Sequence, residues 1–337
     1  MALRLIELIL PVGNEQLVNE ILEGMDIEEN WVLKVSEKRT MYRILLSSEE
    51  TESLTDHLDQ RFHNLDGYRI IVHPITASLP RPKEEKEKTD DEDGAEEPKR
   101  KGRIGREELY NETMGTAKLT KVYLVTVALS VIVASVGLVR DNVAVIIGAM
   151  VIAPLLGPNM ALSLATTLAD VKLARLSIRT LTVGVLLTCV LSLTLGYLLN
   201  VNPSTSELAA RTEVGLGDIG LALASGSAGA LFLTIGVSTA LVGVMLAVAL
   251  LPPLVTFGLL IGSGNLDLAI DALLLFMTNL ICVNLAGVLI FVAQGVWPRS
   301  WWESSKARKL TIVAICIWCV LLSVLTALII LWGGFRF

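Results

Sequence analysis

The chain has 337 residues, 53% of them hydrophobic, with a mean hydropathy of +0.61; that balance belongs to a polytopic membrane protein rather than a soluble domain. The formal net charge is −6, and the basic stretch from Lys99 to Arg106 stands beside a membrane span, where it meets anionic lipid rather than nucleic acid. No nucleotide-binding loop, metalloprotease helix or catalytic nucleophile arrangement is present, so neither enzyme chemistry nor a cofactor is expected.

In chain order, residues 1–79 read as a soluble α+β domain. Arg4, Glu7, Glu15 and Glu20 interrupt the apolar start, which argues against a secretory signal. Leu3 to Leu10 alternates like a strand and Glu15 to Glu23 has helical spacing. Trp31 to Val35 and Met41 to Leu46 look like paired strands, Glu49 to Phe62 like a charged helix, and Tyr68 to Val72 like a last strand. The order β-α-β-β-α-β predicts the ferredoxin-like split motif. His57, His63 and His73 have no spacing that gathers metal ligands, so no metal site is expected.

Residues 80–104 are a charged tether that cannot bury apolar surface and is expected to be disordered. Residues 105–121 (REELYNETMGTAKLTK from Arg106) predict an amphipathic helix along the cytoplasmic interface.

Residues 122–337 predict seven membrane spans. Five stretches carry no Asp, Glu, Lys or Arg: Val122 to Val139, Asn142 to Ala169, Thr180 to Ser206, Ala272 to Pro298 and Leu310 to Phe335. Each is long enough to cross a bilayer core of about 30 Å. A sixth, Ile219 to Leu266, would be roughly 70 Å as one helix and must fold back on itself. Lys99, Arg100, Lys101, Arg103, Arg106, Lys118 and Lys121 precede the first span. Lys172, Arg175 and Arg179 follow the second, and Arg299, Lys306, Arg308 and Lys309 follow the sixth. Only Arg140, Arg211 and Arg336 fall on the opposite side. That asymmetry predicts a multi-pass protein of the cell membrane with a cytoplasmic N-terminus and an outer C-terminus. Trp297, Trp301 and Trp302 fit an interfacial aromatic belt at the end of the sixth span.

The segment VIIGAMVIAPLLGP, Val145 to Pro158, is echoed by ALVGVMLAVALLPP, Ala240 to Pro253, at a constant offset of 95 residues. Gly148, Met150, Leu155, Leu156 and Pro158 recur as Gly243, Met245, Leu250, Leu251 and Pro253. Proline removes a backbone donor and clashes with the preceding turn, so each copy is expected to break its helix at the same depth. The first copy runs inward and the second outward, which makes spans one to three and four to six a 3+3 inverted repeat, with the seventh added.

In the segments GLVRDNVAVIIGAMVIAPLLGP, ALASGSAGA and STALVGVMLAVALLPPL the chain resembles the membrane domain family of unknown function numbered 389. The likeness covers about Arg106 to Val296, and the soluble domain and tether suit that family's variable extension. It implies the fold and the membrane placement, and no activity or substrate.

Polar groups in spans are costly to place in hydrocarbon and mark candidate sites. Pro154, Pro158, Asn159, Pro252, Pro253, Asn279 and Asn284 are the candidates for binding a solute or ion at the breaks, with helix-to-helix hydrogen bonding as the other reading of the asparagines. For Thr256, Ser263 and Gln294 hydrogen bonding between helices is the favoured reading. Arg140 and Asp141 are a candidate outer gate, although Asp141 and Asn142 also suit the start of a helix. ALASGSAGA, Ala222 to Ala230, predicts close helix packing, with a subunit interface or an unwound, ligand-facing segment as alternatives. Cys189, Cys282, Cys316 and Cys319 all fall in spans and read as packing residues.

The resulting expectation is an α-helical polytopic membrane domain of seven spans with an N-terminal α+β ferredoxin-like domain. Its function is read as a secondary transporter or channel for an unidentified small solute or ion, with a cytoplasmic regulatory domain. The alternative is a non-transporting membrane-anchored sensor or oligomeric scaffold. Partners are the lipid bilayer, the solute and further copies in a homo-oligomer.

Overall fold

The computed structural model describes residues 3–75, 104–237, 239–296 and 301–333. It divides into two compact units, Met1–Glu108 and Leu109–Phe337. Of the expected linker, residues 80–104, only Ile104 is described, and it is buried; the tryptophan at position 297 lies outside the described residues.

In the first unit the elements are β1 (Leu3–Pro11), α1 (Glu15–Leu22), β2 (Ile27–Ser36), β3 (Arg39–Ser47), α2 (Thr51–Phe62) and β4 (Arg69–Pro74). The β-α-β-β-α-β order is the expected one, and the sheet order is β2-β3-β1-β4 with every pairing antiparallel. Period-2 alternation puts Ile6, Leu8 and Leu10 on one face of β1, where they join Ile44 and Leu46 of β3. Val18 and Leu22 of α1 and Leu54, Leu58 and Phe62 of α2 complete this core. Each such buried side chain contributes about 1.5–3 kcal/mol. Glu7 lies opposite Arg43 in the β1–β3 ladder and forms an ion pair with it at 2.8 Å.

Helix α3 spans Arg106–Ala117. Arg106 is buried in the first unit against Asp56 (2.8 Å) and Glu52 (3.5 Å). Burial works against its charge, but these carboxylates and Glu107 outweigh it, and the guanidinium pKa rises above its ordinary value.

The second unit is helical: α4 (Lys121–Val139), α5 (Val143–Ile152), α6 (Leu156–Leu168), α7 (Val171–Leu198), the short α8 (Ser206–Ala209), α9 (Leu216–Thr234), α10 (Thr239–Gly262), α11 (Leu266–Ala293) and α12 (Trp301–Gly333). Among the described residues four helices, α4, α7, α9 and α11, are long and apolar enough to cross a membrane. The pair α5 and α6, bent by 54° at its break, makes a fifth if it counts as one span. The segment expected to lie along the interface has one side of α3, Leu109, Thr113 and Ala117, buried. Tyr110 of that helix donates to Asp170, and Thr180 donates to the Ala117 carbonyl.

Several span starts differ from expectation for one reason: the helices extend past the charge-free stretch, as α9 does to Leu216 and α12 to Trp301. Helix α7 starts at Val171, nine residues before Thr180, because Asp170 caps it by accepting from the Lys172 and Leu173 amides. Helix α11 starts at Leu266 and takes in Asp267 and Asp271.

Helix bounds recur at the 95-residue offset. Shifted by it, α4 and α7 coincide with α9 and α11 residue for residue, and α5 with α6 falls on α10 to within one residue at each end. Asp141 and Gly236 both take left-handed turns (φ 52° and 78°), as do Ala169 and Gly264 (54° and 85°). The bond from Asn142 N to Gly137 O (2.9 Å) recurs from Val237 N to Phe232 O (3.0 Å). That from Asp170 N to Ala165 O (2.9 Å) recurs from Asn265 N to Leu260 O (2.8 Å). Each closes a helix end on a left-handed residue.

The expected second break is absent. Helix α10 runs continuously through Pro252 and Pro253, whereas the first copy parts between Ile152 and Leu156. The break follows Pro154: the residue before a proline is pushed out of the helical region, and Ala153 is extended at φ −68°, ψ 116°. At the offset the counterpart of Pro154 is Ala249, so the second copy lacks the residue that breaks the first. The shared Pro158 sits in the first turn of α6, where its missing donor costs no helical bond.

Helix α9 is regular from Leu216 to Thr234, so the unwound reading of ALASGSAGA does not hold. Its small residues serve packing on α11: a Cβ at Gly226 would lie 2.8 Å from Val283 Cα.

Candidate functional site

The break in the first motif leads into a polar contact. Asn159, in the first turns of α6, and Asn284, in α11, meet side chain to side chain, the Asn284 amide donating to Asn159 Oδ1. Ser163, one turn beyond Asn159, donates its single hydroxyl proton within reach of Asn284 Oδ1 (3.1 Å) and of the Asn284 and Asn159 carbonyls (both 3.3 Å). All three residues are 0% exposed. Spacing of i and i+4 places Asn159 and Ser163 on one helix face. Helices can meet this closely because position 287 is glycine: a Cβ there would lie 2.7 Å from Ser163 Oγ.

The hydrogen bonds fix which way the amides point. Asn284 Nδ2 also donates to Leu280 O at 2.9 Å, so both its N–H groups are used and Asn159 must present its oxygen. Asn159 Nδ2 is left as a buried donor with no partner. An unmet buried donor costs about 1–3 kcal/mol. The cluster holds no titratable group, so it can bind but not exchange protons.

The other candidates are placed as follows. Pro158, Pro252 and Pro253 are buried and Pro154 is half-buried. The two motif copies share an apolar core in which Met150, Ala153 and Leu155 meet Leu251 and Val255. Asn279 is buried in α11, outside the bonds that join Asn159, Ser163 and Asn284. Arg140 is exposed, and the Asp141 carboxylate accepts from the Glu207 amide at 2.7 Å, capping α8. Among the described residues no ion pair joins Arg140 and Asp141. Asn142 caps α5 by accepting from Val145 N (3.2 Å). Buried Thr256 has no partner for its hydroxyl, and Ser263 bonds within the α10–α11 connector. Among the described residues no group of His, Cys, Asp and Glu could hold a metal, and Cys316 and Cys319 are free and exposed. Ser163 was missed in the sequence; the signal for it was its place one turn after Asn159, opposite the glycine at 287.

The family described as Domain of unknown function (DUF389) matches residues 150–285, a stretch that opens just before the break in the first motif and closes just after Asn284. An uncharacterized protein of Methanocaldococcus jannaschii is 39% identical over 331 residues, covering 98% of this chain and 99% of its own. The chain belongs to this family. The likeness to that protein extends over the N-terminal sheet as well as the helical unit. No solved structure matches.

Proposed function

We propose that the chain is a secondary transporter or channel of the cell membrane for a small solute or ion, with the N-terminal ferredoxin-like unit as its cytoplasmic regulatory domain. The observation that carries the reading is the fully buried Asn159–Asn284 contact directly after a helix break: polar side chains inside spans are costly and mark functional sites, and Asn159 keeps one donor open to a ligand. Seven spans follow if α10, of 24 residues, and α12, of 33, join the five units above, since about 20 residues cross the bilayer. The matching bounds and left-handed connectors support a 3+3 arrangement of α4–α7 and α9–α11. With three crossings in each half, the second is inverted relative to the first. In this reading Asn159 belongs to one half and Asn284 to the other.

A homo-oligomer is part of the proposal. Edge strand β2 is exposed from Glu28 to Ser36, including Trp31, Val32, Leu33 and Val35. With Glu28 and Glu29 near one end and Lys34 near the other, it complements a second copy of itself in antiparallel pairing. The continuity of α10 favours the second reading, a non-transporting anchor or scaffold, since it leaves one break where two were expected.

Cysteine accessibility at position 159 separates the two. In a background without the native cysteines, Asn159→Cys in reconstituted protein is expected to react with a membrane-impermeant thiol reagent from one side. No reaction from either side would contradict the transport reading and leave the scaffold.

A further inference from the structure

We infer that the site takes a small anion, or the carboxylate end of a small solute, rather than a cation; the inference deepens the transport reading and rests on it. The argument is one of donors against acceptors around the α5–α6 break.

On the α6 side the break presents donors. Asn159 Nδ2 is wholly buried and unpartnered, and its direction is set by the saturated amide of Asn284. Side chains on a helix lean toward its N-terminus, so this donor overlies the first turn of α6. The N-cap Leu155 supplies no side-chain acceptor to the amides of Leu156 and Gly157. The positive end of the α6 dipole points the same way.

On the α5 side the Ala149 and Met150 acceptors are engaged. Ala149 O accepts from Ser130 Oγ (2.7 Å) and from Ala153 N (3.1 Å), and Met150 O from the same amide (3.3 Å). From Val143 to Leu168 the chain carries no charge, so no carboxylate on either helix of the break could coordinate a cation or neutralise the donors. A ligand that accepts hydrogen bonds and carries negative charge complements the open donor and the helix N-terminus on the α6 side.

At the 95-residue offset Asn159 corresponds to Leu254 and Asn284 to Cys189, and those two lie together in an apolar cluster with Phe276. The site therefore has no second copy at that offset.

The test uses the full-length protein in detergent, with its thermal unfolding followed in sodium chloride, nitrate, formate and acetate at fixed sodium. A second series uses sodium, potassium, lithium and choline at a fixed anion. At least one anion is expected to raise the midpoint in a saturable way, by about 5 °C, and cations are not. The shift is expected to vanish in Asn159→Leu and also in Asn159→Asp, which keeps the size of the side chain and its bond to Asn284 but replaces the donors with charge. No saturable anion shift, a shift that survives in both variants, or a cation shift lost in them would overturn the inference. The transport reading fails separately, on the accessibility of position 159. Labelling without an anion shift removes only the anion, and an anion shift without labelling removes only the transport.

Discussion

Two helix crossings in the membrane unit are the same contact at the 95-residue offset, and they differ in chemistry. Where α6 meets α11, Ser163 lies against Gly287; where α10 meets α7, Gly258 lies against Ser192. The serine and glycine have changed places, and the backbone approach is kept. Beside the first crossing sit Asn159 and Asn284 with an unmet donor. Beside the second, the counterparts Leu254 and Cys189 lie in an apolar cluster. The comparison teaches that close packing belongs to the shared frame, while the polar site belongs to one member of it.

The largest expected effect tests the frame. Gly258→Val and Gly287→Val each force a side chain into a crossing with no room: a Cβ at Gly258 would lie 2.7 Å from Ser192 Cβ and 3.0 Å from Leu193 N. Each variant is expected to lose about 1–3 kcal/mol or more in detergent unfolding. Combining Gly258→Ala with Ser192→Gly, or Gly287→Ala with Ser163→Gly, is expected to recover part of the loss. Equal losses with and without the second change would show that the two residues do not share a crossing.

The next effect sharpens the chemical difference. Asn284→Leu strands Asn159 Oδ1 and deprives Ser163 of an acceptor, a loss of about 1–3 kcal/mol. Cys189→Leu, at the matched position in an apolar cluster, is expected to cost less than about 1.5 kcal/mol. Equal costs in chemical denaturation would erase the distinction between the crossings.

The smallest effect concerns the matched connectors. Asp170 caps α7 with two backbone bonds, whereas Asn265 makes no side-chain cap on α11. Asp170→Ala is therefore expected to cost about 1 kcal/mol and Asn265→Ala less. Burial raises the Asp170 pKa, but bonds from Leu173, Tyr110 and Lys172 outweigh it and hold the value below the ordinary one. A depressed folded pKa means this contribution is full above the unfolded-state value of about 3.9 and disappears as pH falls through the lower folded value. The difference between wild type and Asp170→Asn in unfolding midpoint is thus expected to hold at neutral pH and to close only in acid. A difference that closes as pH rises would contradict the assignment.

The first unit was legible because its strands alternate: Ile6, Leu8 and Leu10 announce a buried face without tertiary information. Helices in the second unit were legible as apolar runs, but their ends were not. Asp170 and Asn265 stand at the N-terminal ends of helices whose first turns carry charge at Lys172 and Asp267, and a rule based on missing charge stops short of them. A second break was expected because Pro158 and Pro253 recur at the offset. The physics of the preceding residue singles out Pro154, which does not recur. Asn159 and Asn284 were legible as costly polar residues, but their meeting depends on a glycine 128 positions after Asn159, which only the packing of α6 on α11 brings near.

The inverted relation of the two halves is tested most directly by side-resolved labelling of two matched pairs of exposed positions, Arg140 with Ile235 and Lys172 with Asp267. With single cysteines in sealed, oriented vesicles, Arg140→Cys and Asp267→Cys are expected to react with an impermeant thiol reagent from the outside only, and Lys172→Cys and Ile235→Cys from the inside only. Reaction of both members of either pair from the same side would contradict the inversion, and with it the proposal that Asn159 and Asn284 bridge two oppositely oriented halves.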